Sequence, residues 1–249
     1  LSAIAAAEIM SYFGARPPEA VAARLPALRT RAQHRLNAAR TPLRPQAEGF
    51  RREQVAVDRV RRPYSAFFTV EEYSLRFPRF DGSMSESVER AVFVAADAVT
   101  VLPWDPVRDT VLVIEQFRMA PFARGEGSCW LWEAVAGRLD PGETPEDTAH
   151  REAAEEAGIT LKRLHPVAGY YPNTAALTEF VHSFVGIADL PPDAAGRHGQ
   201  DDEAEDIKGA VLPRREMMAR IAAGEMPVGP LLVTAFWLEA NAARLAAES

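Results

Sequence analysis

Cysteine is all but absent: Cys129 is the single one in 249 residues, so no disulfide can form within the chain and a reducing compartment is the simplest setting. The thiol itself reads as inert packing. An excess of positive charge is also lacking. The 28 Lys and Arg residues face 35 Asp and Glu, a formal charge of -7, which argues against nucleic acid as the main partner because phosphate backbones are held by surplus Lys and Arg. Nucleotides stay open, since cations can bridge them to acids. Long apolar runs are missing too. The stretch from Ile4 to Phe13 is too short to span a bilayer, contains Glu8, and has neither the basic flank nor the small-residue cleavage site of a signal peptide. The expectation is a cytoplasmic protein with no membrane attachment. The chain starts at Leu1, with no initiating Met, so a fragment or processed form is expected, with an upstream domain absent.

What is present suits a globular core. The apolar fraction of 47% is ordinary, and the length allows one large domain or a domain with an appendage. Ser2 can cap a short helix to Phe13, stopped by Gly14 and Pro17-Pro18, and a second helix is expected over 27–40. From Arg24 to Arg62 arginines outnumber acids, which reads as a solvated linker, with Thr41-Pro42-Leu43-Arg44-Pro45 as the boundary. Residues 1–45 are thus expected as an N-terminal helical segment, and 46–249 as the main domain. Alternation from Phe67 to Phe80 and the Asp81-Gly82 turn predict a strand pair. Further strands are expected near 91–94, 98–102, 111–117, 130–136, 167–171, 180–185 and 207–212, with a polar loop over 189–206. Two helices, near 214–223 and 230–246, close the chain. No internal repeat is visible.

The run from Gly137 to Ile159 carries the chemistry. Thr144 is a good N-cap, Pro145 fits the first helical position, Asp147 makes a near capping box, and Gly158 supplies the stop. Within this helix Glu152, Glu155 and Glu156 lie at i, i+3 and i+4, while Ala149, Ala153 and Ala157 form a small-residue stripe suited to close approach on a sheet. Like charges at that spacing repel unless a cation joins them. Hard divalent ions such as Mg²⁺ take carboxylate oxygens together with substrate phosphate oxygens. A solvated acidic face is the ordinary reading of a Glu-rich helix, and the spacing decides against it.

Gly137, five residues, Glu143, seven residues, Arg151-Glu152, then Glu155-Glu156, Gly158 and Ile159 resemble the Nudix box throughout. At residue usages of roughly 5–10%, seven fixed identities arise by chance on the order of once in 10⁸ starting points. The resemblance implies an α/β fold: the Nudix α/β/α sandwich with a mixed sheet, here preceded by the helical segment and antiparallel strands. Outside the box, Leu102 to Asp109, Ile114-Glu115-Gln116-Phe117-Arg118 and Glu133-Ala134-Val135-Ala136-Gly137 resemble the ADP-ribose pyrophosphatase subfamily. The stretches Phe67–Tyr73 and Arg79–Ser85 are similar to longer members of the tellurite resistance protein TrgB type, a label that names a phenotype and no reaction.

The resemblance implies Mg²⁺-dependent hydrolysis of ADP-ribose to AMP and ribose 5-phosphate, with Mn²⁺ as a substitute ion. It places the metal on Glu152, Glu156, Glu205 and the Ala136 carbonyl, with Glu155 nearby. Glu203 would be the general base, with Arg151 and Glu143 orienting the acids, and Arg90, Arg118 and Glu179 would hold substrate. Residues about 64–95 would serve a homodimer with exchanged N-terminal strands. One departure stands out: this chain reads Tyr171-Pro172-Asn173 where many relatives have Ser-Pro-Gly. Another nucleoside diphosphate sugar, such as GDP-mannose, is therefore the alternative substrate. A non-catalytic nucleotide-sugar sensor is the alternative of another class, and the intact box acids speak against it.

Overall fold

The computed structural model describes residues 2–40, 49–65, 68–191, 194–199 and 205–248. They fall into two compact units, one of residues 1–97 with 173–179 and one of 98–172 with 180–249.

The first unit begins with three helices, α1 Ser2–Met10, α2 Pro18–Ala22 and α3 Leu25–Arg40. Ala5, Glu8 and Tyr12 are buried along one side of the first segment, and Leu28, Arg31 and Ala32 along α3, the helical spacing that lets the two pack. An antiparallel sheet follows, of β1 Ala56–Ser65, β2 Thr69–Arg76 and β3 Val88–Val94, with β2 in the middle. Three strands therefore stand where the alternation predicts two. β1 runs through the arginine-rich stretch read as linker, and begins well before residue 64. Seven of its ten residues are exposed, so it shows no alternation; pairing to β2 and the Arg76–Asp58 and Arg61–Glu72 ion pairs hold it. The sheet groups with the helices, where the sequence reading grouped it with the following domain. The expected boundary at Thr41–Pro45 lies outside the described residues.

The second unit carries β4 Ala98–Asp105, β5 Thr110–Phe117, α4 Met119–Arg124, β6 Trp130–Glu133, β7 Val135–Arg138, α5 Pro145–Ala157, β8 Arg163–Tyr170, β9 Val181–Ile187, β10 Arg197–His198, β11 Ile207–Pro213, α6 Arg214–Ala222 and α7 Gly229–Ala247. Its eight strands form one sheet in the order β10-β11-β5-β4-β9-β8, with β6 beside β5 and β7 beside β4. β4 and β9 run parallel and the other pairs antiparallel, so the sheet is mixed. The short α4 and β10 were not anticipated.

β4 and β5 read as near-continuous apolar runs because both of their faces are covered. Val99, Val101, Leu112 and Ile114 meet Ala149, Ala153 and Ala157 of α5, while Leu102, Trp104, Val111 and Val113 meet Met217, Leu231, Leu238 and Leu245 of α6 and α7. This is the α/β/α sandwich. The three alanines, each at most 1% exposed, let the α5 backbone ride low on the sheet. Each leucine buried on the other face contributes about 1.5–3 kcal/mol.

Candidate active site

The loop into α5 is set by short-range bonds. Thr144 Oγ1 accepts the Asp147 amide at 3.1 Å, and Asp147 returns the bond to the Thr144 amide at 3.2 Å, so Asp completes the capping box. Gly158 ends the helix at φ 63°. Gly137, at the close of β7, faces the helix so tightly that a Cβ there would overlap the Glu152 carboxylate. That is why the strand leading into the helix carries glycine at this point.

Two of the three helix acids turn inward. Glu152 and Glu156 are 9% and 3% exposed, whereas Glu155 is only half-buried and bonds Arg151 at 3.0 Å. Glu156 accepts the Ala136 amide at 2.9 Å and approaches Gln116 Nε2 at 3.5 Å. Burial pushes its pKa up to about 8; the Ala136 bond opposes this, the Glu152 and Glu205 charges add to it, and Arg118 offsets them in part. Burial likewise raises Glu152, against the pull of Arg151.

Arg151 ties the loop to the helix. Its guanidinium donates to Glu143 at 2.8 and 3.0 Å, to Glu152 at 2.7 Å, to Glu155, and to the Arg138 carbonyl at 3.1 Å. The Arg151 bond holds Glu143 down at about pKa 2 despite some burial, helped by Thr148 Oγ1 and the Asp140 amide. Just past β5, at the cap of α4, Arg118 forks onto Glu133 at 2.7 and 2.8 Å. Burial alone would lower the Arg118 pKa; the Glu133 fork and the charges of Glu133, Glu156 and Glu205 outweigh it and raise it.

Glu205 is thus electrostatically coupled to Glu152, Glu156 and Arg118 across a long sequence separation. The spacing does not announce Gln116, Glu133 and Thr148 as participants. A period-two reading carried from β5 into the extended Arg118 could have found Gln116, two residues before it. Arg90, on exposed β3, bonds the Glu89 carbonyl at 2.9 Å; it and Glu179 belong to the first unit. Glu203 lies outside the described residues. A cavity of about 230 Å³, lined by Pro145, Glu146, His182 and Phe184 among others, contains none of the box acids.

Among the described residues, no three acid, histidine or cysteine side chains already converge as a ligand cage. Arg151 holds one Glu152 oxygen, and backbone bonding holds one of Glu156. The donor set nevertheless suits a hard cation. Oxygen ligands are the right chemistry, and two buried carboxyls whose pKa values are raised, with a third acid coupled to both, are what a divalent charge would relieve.

A buried acid pair on a helix entered through a Gly137 turn, over a mixed sheet, defines a class. The model of the NUDIX domain matches residues 94–231, and the chain belongs to the Nudix family. Among curated proteins it is 38% identical to the ADP-ribose pyrophosphatase of Escherichia coli (strain K12), over 71% of this chain and 83% of that one. It is 34% identical to the ADP-ribose pyrophosphatase of Haemophilus influenzae, over 73% and 84%. It is 29% identical to the GDP-mannose pyrophosphatase of Escherichia coli O9:H4, over 70% and 90%. A crystal structure of an ADP compounds hydrolase superposes with a TM-score of 0.57 at 19% identity, covering 75% of this chain and 92% of that one; it bears on the fold alone.

Proposed function

We propose that this protein hydrolyses the pyrophosphate of ADP-ribose to AMP and ribose 5-phosphate. The observation that carries the reading is the buried pair Glu152 and Glu156, coupled to Glu205, whose carboxyls stay hard to ionise although Arg151 pairs with Glu152 and Arg118 lies near Glu156. The similarity to two ADP-ribose pyrophosphatases supports the substrate. Glu152, Glu156, Glu205 and the Ala136 carbonyl would hold Mg²⁺, or Mn²⁺ in its place, with Glu155 beside them. Such an ion, when bound, would supply charge neutralisation for the pyrophosphate and a lowered pKa for water.

The chain's own groups do the rest. Glu203 takes the proton of the attacking water as its oxygen bonds to phosphorus and the bridging P–O bond breaks. Arg151 and Glu143 hold Glu152 in orientation through the bonds described, and Arg118, Arg90 and Glu179 bind substrate. Arg suits that task because its fork matches phosphate and ribose oxygens. A homodimer with exchanged N-terminal strands fits the exposed apolar side chains Val57, Val60 and Tyr64 on β1. The single cysteine supports a cytoplasmic setting.

Turnover of ADP-ribose with Mg²⁺, read as AMP formation, tests the reaction. Glu203→Gln is expected to lower kcat by about 100-fold or more, and a loss within about threefold would overturn the base assignment. GDP-mannose is the second substrate to assay, favoured by the 29% identical relative and the Tyr171-Pro172-Asn173 departure. Binding of ADP-ribose without turnover under any divalent ion would favour the sensor.

A further inference from the structure

The strand that brings Glu205 to the box helix is held by a contact to which no role has yet been given. β10 and β11 form a short antiparallel ladder in which Arg197 faces Lys208 and His198 faces Ile207. Beyond it the Gly209 amide donates to the Gly196 carbonyl at 2.7 Å, and Arg197 pairs with Asp206 at 2.7 Å. Gly199, at φ 108°, approaches so closely that a Cβ on it would lie 2.7 Å from the Glu205 carbonyl oxygen. Residues 196–199 and 205–209 are therefore tied to each other as one frame.

Ile207, the first residue of β11, is fully buried in the core that contains Ala153 and Ala157 of α5, and Glu205, two residues ahead of it, lies close enough for its charge to act on Glu152 and Glu156. His198, opposite Ile207, turns to the same side. Its ring stands against the end of the box helix: a Cβ on Gly158 would come 2.8 Å from Cε1, and one on Gly196 would come 2.9 Å from Nε2. Nε2 itself is buried with no hydrogen-bond partner among the described residues. The imidazole is used here as a flat plate between two glycines. Gly158 is consequently constrained twice, by its left-handed φ of 63° and by the absence of room for a side chain.

We propose that His198 is a positioning residue for the cation site: its ring, wedged between Gly158 and Gly196, docks the β10–β11 frame on the end of α5 and so sets Glu205 against Glu152 and Glu156. The inference rests on the reading that these three acids hold the cation. It gives the last glycine of the box a task beyond ending a helix, which is to receive the side chain that registers the distant acid.

The test is Mn²⁺ binding to the full chain without substrate, followed by the spin resonance of the free ion, together with the Mg²⁺ dependence of ADP-ribose turnover. Groups that orient metal ligands typically change affinity about 10–100-fold when removed. His198→Ala is expected to weaken Mn²⁺ binding and raise half-saturating Mg²⁺ by about tenfold, leaving the ADP-ribose KM at saturating Mg²⁺ within about twofold. In a Glu205→Gln background the His198→Ala effect should vanish, because the two act through one group. Gly196→Ala, which crowds Nε2 at a position with no left-handed φ to strain, should weaken Mn²⁺ on its own and add nothing further to His198→Ala. It also serves as the independent variant if His198→Ala fails to fold. Unchanged Mn²⁺ affinity in a folded His198→Ala protein, or the same tenfold loss with and without Glu205, overturns the positioning role and leaves the three-acid site standing. Unchanged affinity in Glu205→Gln overturns that site and the positioning role with it.

Discussion

Two glutamates are almost equally hidden, Glu71 on β2 at 2% exposure and Glu156 on α5 at 3%, yet their acidities move in opposite directions. Burial raises both. At Glu71 the Tyr73 hydroxyl, Arg62 at 2.9 Å and Arg35 at 3.1 Å outweigh it and hold the carboxyl below the usual range. At Glu156 one backbone amide and the charge of Arg118 oppose burial, two further acids reinforce it, and the pKa climbs to about 8. The difference lies in what faces the carboxylate. Arginines close the first region into a finished ionic network, whereas the second stays short of positive charge. Such a deficit, and not burial as such, marks a place prepared for a cation.

The largest effect expected from that contrast is on turnover. Glu156→Gln should lower ADP-ribose hydrolysis by about 100-fold or more, as loss of a group acting directly in catalysis does, without lowering the melting temperature of the metal-free protein. Glu71→Gln should do the reverse, costing about 3 kcal/mol by leaving Arg62 and Arg35 without their counter-charge, as read by denaturant unfolding, with kcat of the folded protein retained. If Glu71→Gln abolished turnover while Glu156→Gln did not, the contrast would collapse.

Next in size is Gly137→Ala. Its Cβ displaces the Glu152 carboxylate, and turnover should fall about 10–100-fold with weakened Mg²⁺ activation. A variant with unaltered Mg²⁺ dependence would remove Glu152 from the site. A smaller effect concerns Glu143. Its folded pKa of about 2 is below the ordinary carboxyl value of 4.5, so the stability it contributes is fully present above pH 4.5 and is lost as pH falls through 2. Acid titration of Glu143→Gln should therefore show a shallower loss of stability across that window, by an amount reduced by the solvent around this partly exposed group. The smallest change is Thr144→Ala, which removes the α5 cap and should cost about 1 kcal/mol in thermal unfolding.

Much of the sandwich was legible in the residues. β4, β5, β9 and β11 announce themselves as apolar runs bounded by turn residues, and α5 by its cap, stripe and stop. β1 was not legible, because an exposed strand held by pairing and surface ion pairs has no buried face to impose a period. α4 was missed because six residues are too few to show a helical stripe. At the site, the spacing picked out Glu143, Arg151, Glu152, Glu155 and Glu156, all on one loop and helix. It did not reveal Gln116 against Glu156, Glu133 against Arg118, or the His198 ring against Gly158, since each joins residues far apart in the chain.

By itself the sequence determined everything that depends on neighbours within about one or two turns: the Thr144–Asp147 cap, the alanine stripe, the Gly158 stop and the Glu152–Glu156 pairing on one helix side. Such features follow from helical geometry, which four-residue spacing carries completely. Only the tertiary structure decided that Glu156 would be buried and reluctant to ionise while Glu155 stayed half-exposed, and that Glu205 would be coupled to both inward-facing acids. Charge and burial act through space and not along the chain. Acidity at this site is therefore a property of the packed sheet and helix together.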